Sequence, residues 1–220
     1  MGDLKGTLKS LKIAQNMSLN LLGDHEIRAR SYYELGTMQR EMGDLKGALG
    51  SLERATNVMF GDHEDTARSY HELGRVQHKM GDLKGALYSL QIAQKMTSNL
   101  LGDHENTVCT YYDLSRVLRE MGDLKESLDF LERAANMSSK LLGDHEDTAR
   151  NYHELGAMKH EMGNLRGALQ PLEKAANMRS KMLGDHHKDT ISSLNEFRAV
   201  PIKLPLSSFS LLGKEFLWKK

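Results

Sequence analysis

The sequence predicts an all-α protein, a solenoid of stacked antiparallel helix hairpins. Three observations carry this. The string Met-Gly-Asp/Asn-Leu begins at Met1, Met42, Met80, Met121 and Met162, and the string Gly-Asp-His begins at Gly23, Gly61, Gly102, Gly143 and Gly184. Both series keep one even step apart from a single shorter one, Met42 to Met80 in the first and Gly23 to Gly61 in the second, which places a short deletion between Met42 and Gly61. Segments 61–87 and 143–169 agree at 20 of 27 positions. Self-similarity at a fixed period of this size marks a repeat architecture. Apolar residues within a unit recur at three- and four-residue steps, and no run alternates apolar and polar as a half-buried strand would.

Each unit reads as two helices. In the unit from Glu64, the first helix runs to Lys79, with Tyr70, Leu73 and Gln77 on one stripe beside Gly74. The second runs from about Leu83 to Leu101, with Ala86, Leu87, Leu90, Ala93 and Met96 on its apolar stripe. Between them, Gly81 suits the left-handed residue that ends a helix. Asp82 suits the cap of the next helix, where a carboxylate accepts an orphan backbone N–H. Gly102-Asp103-His104 is expected to do the same at the next boundary. Gly36, Gly74 and Gly156 recur within the first helices, and Ala48, Ala86 and Ala168 within the second. Mid-helix Gly costs roughly 1 kcal/mol against Ala, so its retention predicts a close helix approach. One hairpin cannot bury both faces of its apolar stripe, whereas stacked hairpins can.

Composition bounds the function. The chain has 220 residues, 30 Lys+Arg against 30 Asp+Glu, and a net charge of zero. No chain-wide basic field exists to hold nucleic acid, and none is expected as a partner. Cys109 is the one cysteine, which excludes an internal disulfide and favours a reducing, cytoplasmic location. No apolar run reaches the length of a membrane span, the first residues lack a signal-peptide core, and Gly6 stands where a myristoylation signal wants Ser or Thr. No membrane partner and no cofactor are expected.

Tyr70-His71-Glu72-Leu73-Gly74, Gly81-Asp82, Ala86, Leu90 and Ala93 together resemble the tetratricopeptide repeat (TPR). Numbered from Ala67 as the first TPR position, they fall at the pattern's spacing. The long period, with Leu142-Gly143-Asp144-His145-Glu146-Asp147-Thr148-Ala149 as its clearest junction, resembles the repeats of kinesin light chains and nephrocystin-3-like proteins. The same class accepts a proline where Pro171 stands, although Pro normally costs about 3 kcal/mol in a helix interior. The resemblance implies a right-handed superhelix, no enzymatic activity, and a scaffold for a protein or peptide partner.

The array is read over residues 1–197: a half repeat at 1–22, complete hairpins at about 26–59, 64–101, 105–142 and 146–183, and a partial first helix at 188–198 in which Phe197 takes the Leu position. Residues 199–220 match no repeat. Met1 falls at the marker inside a unit, so the chain reads as a fragment of a longer array. Two alternatives stand beside this: Phe209, Leu211, Leu212, Phe216 and Trp218 fold back as a cap, or they bind a partner. Unfinished ends would leave room for self-association.

The resemblance implies that first helices line the concave side. At about 100° per residue, TPR positions 2, 5, 9 and 12 share one face. They are Arg30, Tyr33, Thr37 and Arg40; Arg68, His71, Arg75 and His78; Cys109, Tyr112, Arg116 and Arg119; and Arg150, His153, Ala157 and His160. Seven are Arg, four His, two Tyr, and none is acidic or Lys. Arg offers a rigid fork for carboxylates, and Tyr and His offer flat contact area. The expectation is an acidic peptide in a groove lined by these residues and free of carboxylates, with Arg75, Arg116 and Arg119 gripping it and Tyr33, Tyr112, His71 and His153 adding surface. The bland reading is a solvated face whose Arg30, Arg68 and Arg150 pair with Glu34, Glu72 and Glu154, at about 0.2–0.5 kcal/mol each. The alternative function is a regulatory or sensor arm of a larger signalling or motor-adaptor protein.

No catalytic or metal site is expected. His71-Glu72 and His153-Glu154 lack the second His four places on, where Arg75 and Ala157 stand. The row His25, His63, His104, His145 and His186 is assigned to the junctions, as packing or capping. Stacked helices lie about 8–10 Å apart, too far for adjacent rows to share a zinc ion with ligands at about 2.0–2.3 Å. Ser208 stands where a phosphate loop ending at Gly213-Lys214 would need Gly. Cys109 reads as a buried small hydrophobe or a bystander.

Overall fold

The computed structural model describes residues 25–58 and 63–200, all helix and short connection. The helices are α1 (His25–Glu41), α2 (Leu45–Val58), α3 (Glu64–Lys79), α4 (Leu83–Leu100), α5 (Glu105–Met121), α6 (Leu124–Leu142), α7 (Glu146–Glu161), α8 (Leu165–Leu183) and α9 (Lys188–Ala199). No strand occurs among the described residues. The half repeat read at 1–22 and the tail from 201 to 220 lie outside them.

The chain forms two compact units, Met1–Gly122 and Asp123–Lys220. In the first, α1 packs on α2 and α3 on α4, while α2 packs on α3 and α4 on α5. In the second, α7 packs on α8, with α6 on α7 and α8 on α9. The fold is thus the expected succession of helix hairpins within each unit.

The small residues sit where helices approach. A Cβ built on Gly74 would lie 2.6 Å from Leu90 Cγ and 3.2 Å from the Ala86 carbonyl oxygen. At Gly36 the same atom would lie 2.6 Å from Leu52 Cγ. Ala48, Leu52, Leu90 and Leu172 are fully buried. Leu52 and Ala48 of α2 then meet Leu73 and Val76 of α3, so the core runs on from one hairpin to the next. In the second unit Phe197 and Val200 close over Ala168 and Leu172. Pro171 is buried inside α8, so the helix continues through it.

Helix starts and stops follow the punctuation. Gly81 has φ +81°. Asp82 caps α4 by accepting the Gly85 N–H at 2.9 Å. Asp123 does the same for the Glu126 N–H at 3.1 Å. At the next boundaries the cap comes from the histidine row, whose expected junction role was packing or capping, and not from the Asp before it. The cap of α5 is His104, not Asp103: its Nδ1 accepts the Asn106 N–H at 3.1 Å. His145 accepts the Asp147 N–H at 3.2 Å. In the last copy the capping residue is His187 rather than His186. The inserted residue there shifts the role by one place. These rings accept from the second N–H after the cap, whereas Asp82 and Asp123 accept from the third.

Candidate functional site

In the first unit the site grows from TPR position 6, which sequence reasoning treated only as a source of ion-pair partners for Arg30, Arg68 and Arg150 and did not place in the wall. That position is acidic in every complete copy: Glu34, Glu72, Asp113 and Glu154. It lies about 40° round the helix from position 2, at about 100° per residue, so its side chains enter the same wall. Glu72 is buried and receives Arg40 of α1 at 2.8 Å and Arg75 of its own helix at 2.8 Å. The Arg40–Glu72 contact is close, but Arg40 Nε and Glu72 Oε2 are not aligned as a hydrogen bond. Arg75 Nε also lies 3.6 Å from Asp113 of α5. Asp113 takes a hydrogen bond from His71 Nε2 at 2.9 Å and lies 3.8 Å from Arg116. One network therefore ties α1, α3 and α5 together.

Charge settles accordingly. Burial pushes the Asp113 carboxyl up, but the His71 hydrogen bond and the charges of His71, Arg75 and Arg116 outweigh it and hold the group below its ordinary value. Burial alone would lower Arg75; Glu72 and Asp113 overcome it and raise the guanidinium above its ordinary value. Burial, then Glu72, raises the Tyr33 phenol.

Above this network lies a cavity of about 290 Å³. Tyr33 of α1, Arg68, His71, Glu72 and Arg75 of α3, Thr97 of α4, and Asn106, Cys109 and Thr110 of α5 line it. Five expected face residues thus share one hollow. The wall is not free of carboxylates, as expected from positions 2, 5, 9 and 12 alone: Glu72 stands in it. Cys109 is exposed, which corrects its reading as a buried residue. Arg68 is 47% exposed and pairs with Glu64 at 2.6 Å and Asp65 at 3.8 Å, not with Glu72. Arg30 does pair with Glu34, at 3.4 Å. His78 meets Glu120 at 2.8 Å. Tyr112 and Arg119 are half-buried on α5.

The second unit builds its version differently. Arg150 is exposed and pairs with Asp147 at 2.9 Å. His160 Nδ1 lies 3.1 Å from Glu196. His153 Nδ1 meets Ser193 Oγ at 3.2 Å, and the same hydroxyl accepts from Arg179 Nη1 at 2.8 Å. Ser193 still has its own proton to donate to an unprotonated Nδ1. Burial first, and then the Arg179 charge, lowers the His153 pKa below its ordinary value. Arg179 was absent from the expected site; its signal was that it replaces Thr97 and Ser138, which hold the same position in the two preceding copies.

No group of three or more His, Cys, Asp or Glu that could hold a metal occurs among the described residues. No helix among them is long and apolar enough to cross a membrane.

Comparison with known proteins points one way. Solved structures with the same fold include the nearly identical TPR-like repeats assigned to a kinesin light chain of Podosopora anserina, 23% identical with a TM-score of 0.70 over 80% of this chain and 85% of that one. BtubC (BKLC) from P. vanneervenii is 15% identical, with a TM-score of 0.74 over 91% of this chain and 84% of that one. A STAND signal-transduction ATPase with a tetratricopeptide repeat sensor from Pyrococcus horikoshii is 17% identical, with a TM-score of 0.76 over 98% of this chain and 32% of its own. No curated protein matches the sequence. The tetratricopeptide repeat family matches residues 65–140 and 106–181, more than half of the sequence. The chain therefore belongs to the tetratricopeptide repeat family.

Proposed function

We propose that the chain is a non-enzymatic scaffold that seats a segment of a partner protein against α1, α3 and α5 of its first unit. The observation that carries this reading is the cavity of about 290 Å³, large enough for one side chain. Its rim offers two-pronged donors and flat rings. Arg68, 47% exposed, stands in the cavity wall, and Arg116, 50% exposed, lies outside it beside Asp113 of the same network; both keep donor capacity beyond the pairs they make. Arg40 and Arg75 face inward and hold Glu72 and Asp113. They keep the hollow's shape, and Arg68 and Arg116 recognise charge. The partner segment is then acidic but sparsely so, because Glu72 in the wall repels a carboxylate placed deep.

A second reading is a regulatory or sensor arm of a larger protein. The similarity to the repeat-bearing STAND ATPase, of which this chain spans about a third, favours it. It is compatible with the same hollow.

The test uses labelled acidic decapeptides carrying one Leu, Tyr or Trp. Wild type binds a subset by fluorescence anisotropy. Arg68→Ser with Arg116→Ser weakens binding at least about tenfold, roughly 1.4 kcal/mol, with the far-ultraviolet circular dichroism unchanged. Undiminished binding would show that another surface is used.

A further inference from the structure

Arg179 breaks the repeat. It holds the position that Thr97 holds in the first unit, where Thr97 lines the cavity. The side chain is 7% exposed. Its Nη1 donates to Ser193 Oγ at 2.8 Å and to the Asp189 carbonyl at 3.3 Å, and its Nη2 lies 3.5 Å from Glu146. With the one inserted residue near His187 counted, Asp189 and Ser193 correspond to Asn106 and Thr110. Those two line the first unit's cavity. His153, which corresponds to the cavity residue His71, meets the same Ser193. So the guanidinium touches the second unit's counterparts of the hollow's walls.

Two facts argue against a purely stabilising role. Arg179 Nε and Glu146 Oε2 are buried without hydrogen-bond partners, and such groups cost free energy. A threonine or serine, as in the two earlier copies, would bring no such buried nitrogen. Ala157 also stands where the first unit has Arg75, so the guanidinium that would repel Arg179 is gone. One cationic group has been exchanged for another entering from the opposite helix.

We propose that Arg179 is a built-in occupant of the second unit's copy of the cavity, closing it to partner side chains and confining binding to the first unit. Closure against partners rests on the scaffold reading above; occupancy by the guanidinium does not.

The experiment replaces Arg179 by the threonine of the open copy. Methylguanidinium chloride is titrated into R179T and wild type, with the His153 ring followed by NMR. R179T shows saturable millimolar binding and wild type none; equal behaviour of the two overturns the proposal. The acidic decapeptide is then titrated by calorimetry. Stoichiometry rises from one to two per R179T chain, and an unchanged count overturns the closure. If wild type binds no decapeptide, the scaffold reading fails while the methylguanidinium result still decides occupancy. Should R179T lose helicity, T97R/R75A transplants the plug into the first unit. It weakens decapeptide binding at least about tenfold relative to R75A alone, and an affinity equal to that of R75A overturns the closure.

Discussion

Arg75 stands between two carboxylates of successive first helices, 2.8 Å from Glu72 on its own helix and 3.6 Å from Asp113 on the next. The guanidinium is 37% exposed, so its own removal is tolerable. Arg75→Ala is expected to cost about 1 kcal/mol, since Glu72 retains Arg40 and Asp113 retains His71. Glu72→Ala leaves Arg40 and Arg75 facing each other and is expected to cost about 3 kcal/mol. Urea midpoints rank the two variants. An inverted ranking would mean that Glu72 is a burden on the fold rather than its tie.

Two glycines make a matched pair. Gly74→Ala improves helix propensity by about 1 kcal/mol but drives a methyl group against Leu90 and the Ala86 carbonyl. Overpacking of this kind costs about 1–3 kcal/mol, so the variant is expected to melt lower than wild type. Gly50 also lies in a helix, and a Cβ there meets nothing within 4 Å. Gly50→Ala is expected to melt higher. Scanning calorimetry of both variants checks the contrast.

Asp113 and His153 make stability depend on acid in different ranges. Asp113 has a folded pKa below its unfolded value. Its stabilisation is complete above about pH 4 and is lost as pH falls through the folded value. Asp113→Asn should flatten the stability profile below about pH 4. His153 is also lowered on folding. Its contribution is complete above about pH 6.5 and is lost as pH falls below that. His153→Gln should remove this loss of urea resistance on mild acidification, leaving the carboxylate range unaffected.

Caps can be tested singly. Asp82 accepts the Gly85 N–H, and Asp82→Ala is expected to cost about 1 kcal/mol. His104→Ala should cost less, because that ring is exposed and its single contact is longer, at 3.1 Å. Amide hydrogen exchange at the first turns of α4 and α5 reports each effect locally.

Much of this was readable in advance because repetition averages out accident. Gly36, Gly74 and Gly156 announced a tight approach by recurring, and Leu52 and Leu90 are what they approach. The face at positions 2, 5, 9 and 12 was legible from helical angle alone. Glu72 and Asp113 were not placed there because a step of about 40° separates position 6 from that face, and side-chain length closes such a gap. The bland reading of the face paired Arg68 and Arg150 forward with Glu72 and Glu154; Arg68 turns back to Glu64, and Arg150 meets Asp147. Tertiary demand decides the case of Arg68: Glu72 is already held by Arg40 of α1. Sequence spacing carries no information about that competitor. Arg179 was overlooked for the opposite reason, since attention to what repeats hides what does not.

The glycine notch has a kinetic consequence. Gly36 receives Leu52 and Gly74 receives Leu90, each partner on the next helix along the chain. Contacts so near in sequence close small loops, and chains rich in them fold quickly. Each hairpin can therefore begin to close as it leaves the ribosome, and stacking onto a neighbour then buries the face it leaves open. An array of this kind can grow or shrink by whole duplicated segments without asking any distant part of the polypeptide to find a new partner.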